Sequence, residues 1–245
     1  MGSKLNLDKN YLHLIKTFPM KKITFLFITI GLLSSCKQGS ENPGTEDQQL
    51  ENTEQPINVE VANAHGFEEF ENVKQINFTF NVKVNDTLRT TRAWKWYPQE
   101  DRVELAENDE TLVYDNDGDF TEVEQAADKK FINDTYWLLF PYQLVWSDFN
   151  IEHNLKAEAP ISKEPMQQLS ITFEGDGGYT PGDTYHIYFK DDKILEEWTY
   201  VSSGGRTLST TWEDYEDFNG VKIAKMHKSE DGSFQLFFTD IEVIK

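Results

Sequence analysis

A single cysteine, Cys36, is all that 245 residues provide, so no disulfide can close a loop within the chain. Basic residues are scarce as well: 23 Lys and Arg stand against 43 Asp and Glu, a formal charge of −20 at pH 7. Such a surplus is repelled by nucleic-acid phosphates and by anionic lipid surfaces, which excludes both as main ligands. The apolar run from Ile23 to Leu33 is short of the roughly 20 residues a membrane-spanning helix needs. Metal and nucleophile motifs are missing too. His65, His153, His186 and His227 lie too far apart to form a HExxH or HxH pair, and no thiolate is available to join them. Ser202-Ser203-Gly204-Gly205 lacks the glycine that a nucleophile elbow sets before its serine, and reads as a hairpin tip.

What is present begins with Met20–Cys36, MKKITFLFITIGLLSSC. Lys21 and Lys22 precede the apolar run, and Leu33-Ser34-Ser35-Cys36 follows it, the order of a secretory signal with small residues at its cut site. The ending is similar to a bacterial lipobox, which implies cleavage before Cys36 and acylation of its thiol, with palmitate as one such acyl group. A signal-anchor helix with an incidental thiol would explain the apolar run, but not the ordered succession of charge, run, small residues and cysteine. Residues 1–19 do not fit a signal start, so they read as an N-terminal extension, with Met20 as initiator and residues 20–35 as the signal peptide. Removing everything before Cys36 leaves 18 basic and 42 acidic residues, a net charge near −24.

Residues 36–56 then form an acylated cysteine plus an acidic tether. Its one bulky aliphatic residue, Leu50, cannot offset the entropy of ordering the stretch, so a spacer is expected. Residues 57–245 are enough for one core and one domain. Without disulfides, that core depends on buried apolar surface, and 6 Trp, 10 Tyr and 17 Phe supply large areas per side chain.

The pattern over 57–245 is mainly that of antiparallel strands. Val59, Ala62, Phe67, Phe70 and Val73 recur at helical spacing, interrupted at Gly66. Ile76, Phe78, Phe80, Val82 and Val84 alternate with polar residues, and Asn85-Asp86 turns the chain into Leu88–Tyr97. Further strands are expected at 102–106, 110–114, 150–157, 167–174, 183–190, 194–202, 206–216, 221–229 and 233–243. A helix opens between the two batches, with Thr121 and Glu124 at capping-box spacing; Pro141 is expected to end it.

Three segments carry a family resemblance: Ala64-His65-Gly66, Tyr136-Trp137-Leu138-Leu139-Phe140-Pro141-Tyr142, and Trp212-Glu213-Asp214-Tyr215 leading to Asn219-Gly220-Val221-Lys222-Ile223. With the loop Gly178-Tyr179-Thr180-Pro181-Gly182-Asp183, they resemble an uncharacterised family of Bacteroidota-type lipoproteins, itself similar in layout to the lipoprotein carriers LolA and LolB. The resemblance implies an α+β fold: one strongly curved sheet of about ten strands, an unclosed barrel, with helices over its open side and an apolar cavity beneath. A permanently anchored chain cannot shuttle, so only receiving or holding cargo is implied.

Candidate sites follow from these patterns. Asp115-Asn116-Asp117-Gly118-Asp119 alternates acids as a calcium loop does, but its glycine precedes the third acid and the twelfth position is Ala126 instead of Glu, so a tight hairpin is expected. Gly175-Asp176-Gly177-Gly178 could cradle an anion but is flanked by Glu174 and carries Asp176, and also reads as a turn. His65, beside the helix break, is the histidine of most interest.

Two functions from different classes remain, with a third beside them. The favoured one is a non-enzymatic envelope lipoprotein that binds a lipid, acyl chain or other hydrophobic ligand in a cavity lined by Phe78, Phe80, Trp94, Trp96, Leu138, Leu139, Ile171, Phe173 and Tyr188. The alternative is an envelope glycan hydrolase, whose carboxylates, such as Glu196-Glu197 or Asp214 with Glu216, would have to face each other across a cleft at roughly 5–9 Å. The third is a scaffold or interaction module whose aromatics fill the core. The favoured reading needs no cofactor and no metal. Its partners are the membrane, through the acyl anchor at Cys36, and the apolar ligand. The chain is expected to be a monomer in the bacterial envelope, at the outer membrane, facing either periplasm or cell surface.

Overall fold

The computed structural model describes residues 55–172 and 182–245. Among these, Ile57–Ala64 forms helix α1 and Phe67–Asn72 a 3-10 helix. The helical segment expected to be interrupted at Gly66 does break there, where Gly66 has a φ of 90° in the left-handed region. Twelve strands and one long helix follow, as a seven-stranded and a five-stranded sheet in place of one curved sheet of about ten strands. Every pairing is antiparallel, and neither sheet closes into a barrel.

The seven-stranded sheet joins two meanders. Strands β1 (Gln75–Val84), β2 (Thr87–Tyr97), β3 (Arg102–Glu107) and β4 (Glu110–Asp115) follow one another. Asn85-Asp86 makes the first turn and Asn108-Asp109 the third, all four residues at positive φ. These are the mirror-image two-residue turns whose twist matches the flanking strands, and Asn and Asp tolerate them best after glycine. The second meander comprises β10 (Glu213–Phe218), β11 (Val221–Lys228) and β12 (Phe234–Ile244), and β12 pairs with β1. The strict alternation in β1 buries Ile76, Phe78 and Phe80 on one face.

The five-stranded sheet is a meander of β5 (Asn150–Glu158), β6 (Pro165–Thr172), β7 (Thr184–Phe189), β8 (Leu195–Val201) and β9 (Thr207–Thr211). The stretch expected as one strand over 206–216 is two strands in different sheets. The chain leaves the smaller sheet at Thr211 and enters the larger at Glu213, with Trp212 alone between them. Trp212 N–H still donates to Glu196 O at 2.7 Å, while Lys228 N–H donates to Thr211 Oγ1 at 3.1 Å, so backbone groups of both sheets are bonded across this seam.

Helix α2 (Glu122–Trp146) connects the sheets. Its start is as expected: Glu124 N–H donates to Thr121 Oγ1 at 3.3 Å, and Thr121 N–H to Glu124 Oε2 at 2.7 Å. Its end is not. The helix continues through Pro141 to Trp146, with a break at Leu139 (φ −131°, ψ 34°). Proline has no N–H to return to the carbonyl of Trp137, so the ladder opens there and the helix bends instead of stopping.

Two buried stripes run along α2. Ala127, Phe131, Leu138 and Tyr142 pack in the core of the larger sheet, whereas Tyr136, Phe140 and Leu144 pack in that of the smaller. The stripes are offset by two residues, roughly 200° of helical rotation. A helix apolar on opposite faces must be covered on both, and the two sheets do this. None of the helices among the described residues is long and apolar enough to cross a membrane.

Candidate functional site

The expected ligand-lining residues separate into three groups. Phe78, Phe80, Trp94, Leu138 and Leu139 are buried in the core of the larger sheet, with Trp96 packed against them half-buried. Ile171 belongs to the core of the smaller sheet. Tyr188 packs with Ala159 and Met166 in a third cluster. It lies one residue from Ile187, which is in the core of the smaller sheet, so strand alternation turns it to the opposite face. Phe173, Cys36 and Gly175-Asp176-Gly177-Gly178 lie outside the described residues.

Rings pack against one another on both sides of α2. Phe78 and Phe80 each meet Phe238 at 5.9 Å, and Phe131 sits edge-on to Trp96 at 5.5 Å and tilted on Trp94 at 5.4 Å. Toward the smaller sheet, Phe140 meets Tyr185 and Trp198 at 5.1 Å. These are the offset and edge-to-face separations at which aromatic quadrupoles attract. Two depressions among the described residues are open grooves. One, about 510 Å³, lies beside Leu155, Pro165 and Lys190; the other, about 400 Å³, lies over Ala93 and Ala106 on the outer face of the larger sheet.

Polar groups in this interior anchor the helices. Asp134, on α2 and fully buried, accepts from Arg92 Nε at 2.7 Å, Arg92 Nη2 at 2.5 Å and Trp94 Nε1 at 2.8 Å. Burial raises its carboxyl above the ordinary range, opposed by the Arg92 guanidinium. Asp128, one and a half turns earlier on the same helix, is pushed up to about 6, also by burial.

His65 is the joint between α1 and both sheets. Its Nδ1–H donates to Val61 O at 2.7 Å, which leaves Nε2 to accept from Leu195 N–H at 3.2 Å. Its carbonyl accepts from Tyr142 Oη at 3.0 Å and from Lys222 N–H at 2.9 Å. Burial holds the ring neutral, with a pKa of about 4. The histidine singled out from the sequence therefore fastens structure.

At the seam a second histidine, His227, lies in an aromatic cluster that the sequence did not point to. Its ring is 4.4 Å from Trp212 and 5.4 Å from Trp137; Trp198 is 4.4 Å from Trp137 and 5.4 Å from Trp212. Burial lowers the His227 pKa to about 3. Its assembly depends on β9 and β10 changing sheets at Trp212, which no local pattern announces.

The carboxylates weighed for glycan hydrolysis have structural bonds. Glu197 accepts from the N–H groups of Ile161 and Ser162 at 2.7 and 2.9 Å, Glu196 pairs with Lys190 at 3.0 Å, and Glu216 with Lys225 at 2.7 Å. Asp115 closes a turn through its side chain, which accepts from Asp117 N–H at 3.0 Å. That turn leads from β4 to the cap of α2, not into a hairpin as expected. Among the described residues no group of three or more His, Cys, Asp or Glu is placed to hold a metal ion. Ser202–Arg206 is the expected hairpin tip, with Ser202 N–H donating to Arg206 O at 2.8 Å.

No protein-family model matches the chain, so the resemblance to Bacteroidota-type lipoproteins finds no support there, and no curated protein matches. Solved structures similar to it include a DUF1329 family protein from Desulfovibrio piger, 8% identical over 78% of this chain and 94% of that one, with a TM-score of 0.44. A LolA superfamily protein from Nitrosomonas europaea is 10% identical over 77% and 92%, with a TM-score of 0.44. The lipoprotein LppX of Mycobacterium tuberculosis is 7% identical over 76% and 94%, with a TM-score of 0.28. At such identities and scores, function has to be sought in this chain's own residues.

Proposed function

We propose that this chain is a lipoprotein anchored in a bacterial envelope through Cys36, and that it holds a lipid, acyl chain or similar apolar molecule between its sheets and α2. One observation carries the binding part: α2 is buried on two opposite faces and broken at Leu139. Its first half is fastened to β2 through Asp134, and its last turns to the α1 region through Tyr142. Between them Leu138, Leu139 and Phe140 make apolar contacts, which a chain of methylenes can replace at about 0.8 kcal/mol for each one buried. Of the residues expected to line the site, Leu138 and Leu139 lie on this segment, Phe78, Phe80, Trp94 and Trp96 pack on its larger-sheet side, and Ile171 belongs to the core on its smaller-sheet side. The anchor rests on Met20–Cys36 alone, with the outer membrane as its proposed location.

A specific observation favours a second reading. The rings beneath α2 already touch one another, and the two depressions described above are open grooves, which suits a scaffold or interaction module. Native mass spectrometry of residues 37–245, purified from a bacterial envelope, separates the two. Binding predicts a discrete added mass that organic extraction releases as lipid. The bare chain mass, persisting after incubation with envelope lipid, would leave the scaffold.

A further inference from the structure

Four polar atoms beneath α2 have no hydrogen-bond partner in the protein: Trp198 Nε1, Trp212 Nε1, Thr210 Oγ1 and His227 Nε2. Their residues are 2%, 4%, 0% and 0% exposed. Leaving a buried donor or acceptor unpaired costs about 1–3 kcal/mol, so four in one place call for an explanation. They do belong to one place. Thr210 lies directly opposite Trp198 in the β8–β9 pair, so both face the same side of that sheet. Trp212 follows two residues after Thr210, and its ring touches those of Trp198 and His227.

The chemistry of the set is specific. His227 Nδ1 lies 3.3 Å from Thr211 O, which can only accept, so the proton sits on Nδ1 and Nε2 is a bare acceptor. The two indoles can only donate, and the threonine hydroxyl can do either. The rings around the set, Trp137, Phe140, Tyr185 and Phe238, carry no charge. A carboxylate would satisfy the indoles but meet the Nε2 lone pair without a counter-charge. Water meets these demands, and the smallest ligand group that does so, donating to Nε2 while accepting from an indole, is an uncharged hydroxyl.

We infer that Trp198, Thr210, Trp212 and His227 form a polar pocket that receives the uncharged hydroxyl head of an apolar ligand, with the half-buried ring of Trp137 as its cover. This rests on the binding reading above and names the ligand class. Trp137 touches Trp198, His227 and Phe234, and stands two residues before the break at Leu139.

The test is a titration of the full chain, in phosphatidylcholine nanodiscs and 15N-labelled at tryptophan, with 1-octanol and with 1-chlorooctane. Saturable shifts of the Trp198 and Trp212 indole N–H signals are expected, with 1-octanol bound at least about fivefold more tightly. Thr210→Val should weaken 1-octanol by a similar factor while raising the ligand-free Tm, because it removes a hydroxyl that has no partner. Saturable binding that is equal for both probes and indifferent to Thr210→Val overturns the head-group pocket and leaves apolar binding standing. No saturable shift with either probe overturns both, the polar atoms then holding water only. A Tm lowered by Thr210→Val would show that the hydroxyl has a partner in the fold, and would also overturn the pocket.

Discussion

Asp134 shows how much one buried side chain can hold in place. It takes three hydrogen bonds from Arg92 and Trp94 and ties α2 to β2. Removing it strands a guanidinium and an indole in the interior, so Asp134→Ala should cost about 3–5 kcal/mol, read as a lowered urea midpoint. The buried histidines make stability depend on pH. The unfolded chain protonates both rings as pH falls through 6.5, but the folded chain resists until about 4 at His65 and about 3 at His227. Each therefore removes stability on acidification over its interval. Asp128 acts oppositely: held at about 6 against an ordinary 3.8, it keeps a proton the unfolded chain has released and adds stability as pH falls. Two rings with wider intervals outweigh one carboxyl. The unfolding free energy from urea titration should fall between pH 7 and about 4.5 by an amount on the order of 2–3 kcal/mol. A free energy that rises would show that Asp128 dominates.

At the scale of elements, the joints matter more than the strands. Gly66 lets α1 turn into the 3-10 helix at φ 90°, and a Cβ there would stand 1.7 Å from Gly220 O, in the turn between β10 and β11. Gly66→Ala should therefore cost more than the roughly 1–2 kcal/mol of left-handed strain alone, and thermal unfolding would show it as a large fall in Tm. The cap of α2 is a milder case. Thr121→Ala loses one exposed hydrogen bond and should cost about 1 kcal/mol, with the fold intact by circular dichroism. The capping box was legible because it is local: two side chains three residues apart on an exposed turn. The break at Leu139 was not. Pro141 signals an interruption, but whether a helix stops or bends depends on what covers its far side, here the smaller sheet.

For the whole molecule, strong negative charge and aromatic abundance divide the labour. Charge repels nucleic acid and anionic surfaces, while aromatics supply the core that no disulfide reinforces. The proposed attachment to a membrane therefore rests on the lipobox-like cysteine, Cys36. Cys36→Ser is expected to abolish incorporation of labelled palmitate in a bacterial host and to move the chain from the membrane fraction to the soluble one. Full labelling of the variant would remove the anchor from the proposal.

Strand boundaries, turns and the start of α2 could be read from the chain because alternation, turn residues and caps act over a few residues. Asn85-Asp86 and the β1 alternation needed no distant partner to specify a hairpin with one apolar face. Tertiary structure alone decided that the stretch 206–216 divides between two sheets at Trp212, that Tyr188 turns away from Ile171, and that α2 is buried on both sides. It also brought Trp198, Thr210, Trp212 and His227 together. The difference is one of range. Local dihedral preference and periodicity shape each segment, but which faces meet is settled by covering apolar surface across the whole molecule, and that depends on every other segment at once.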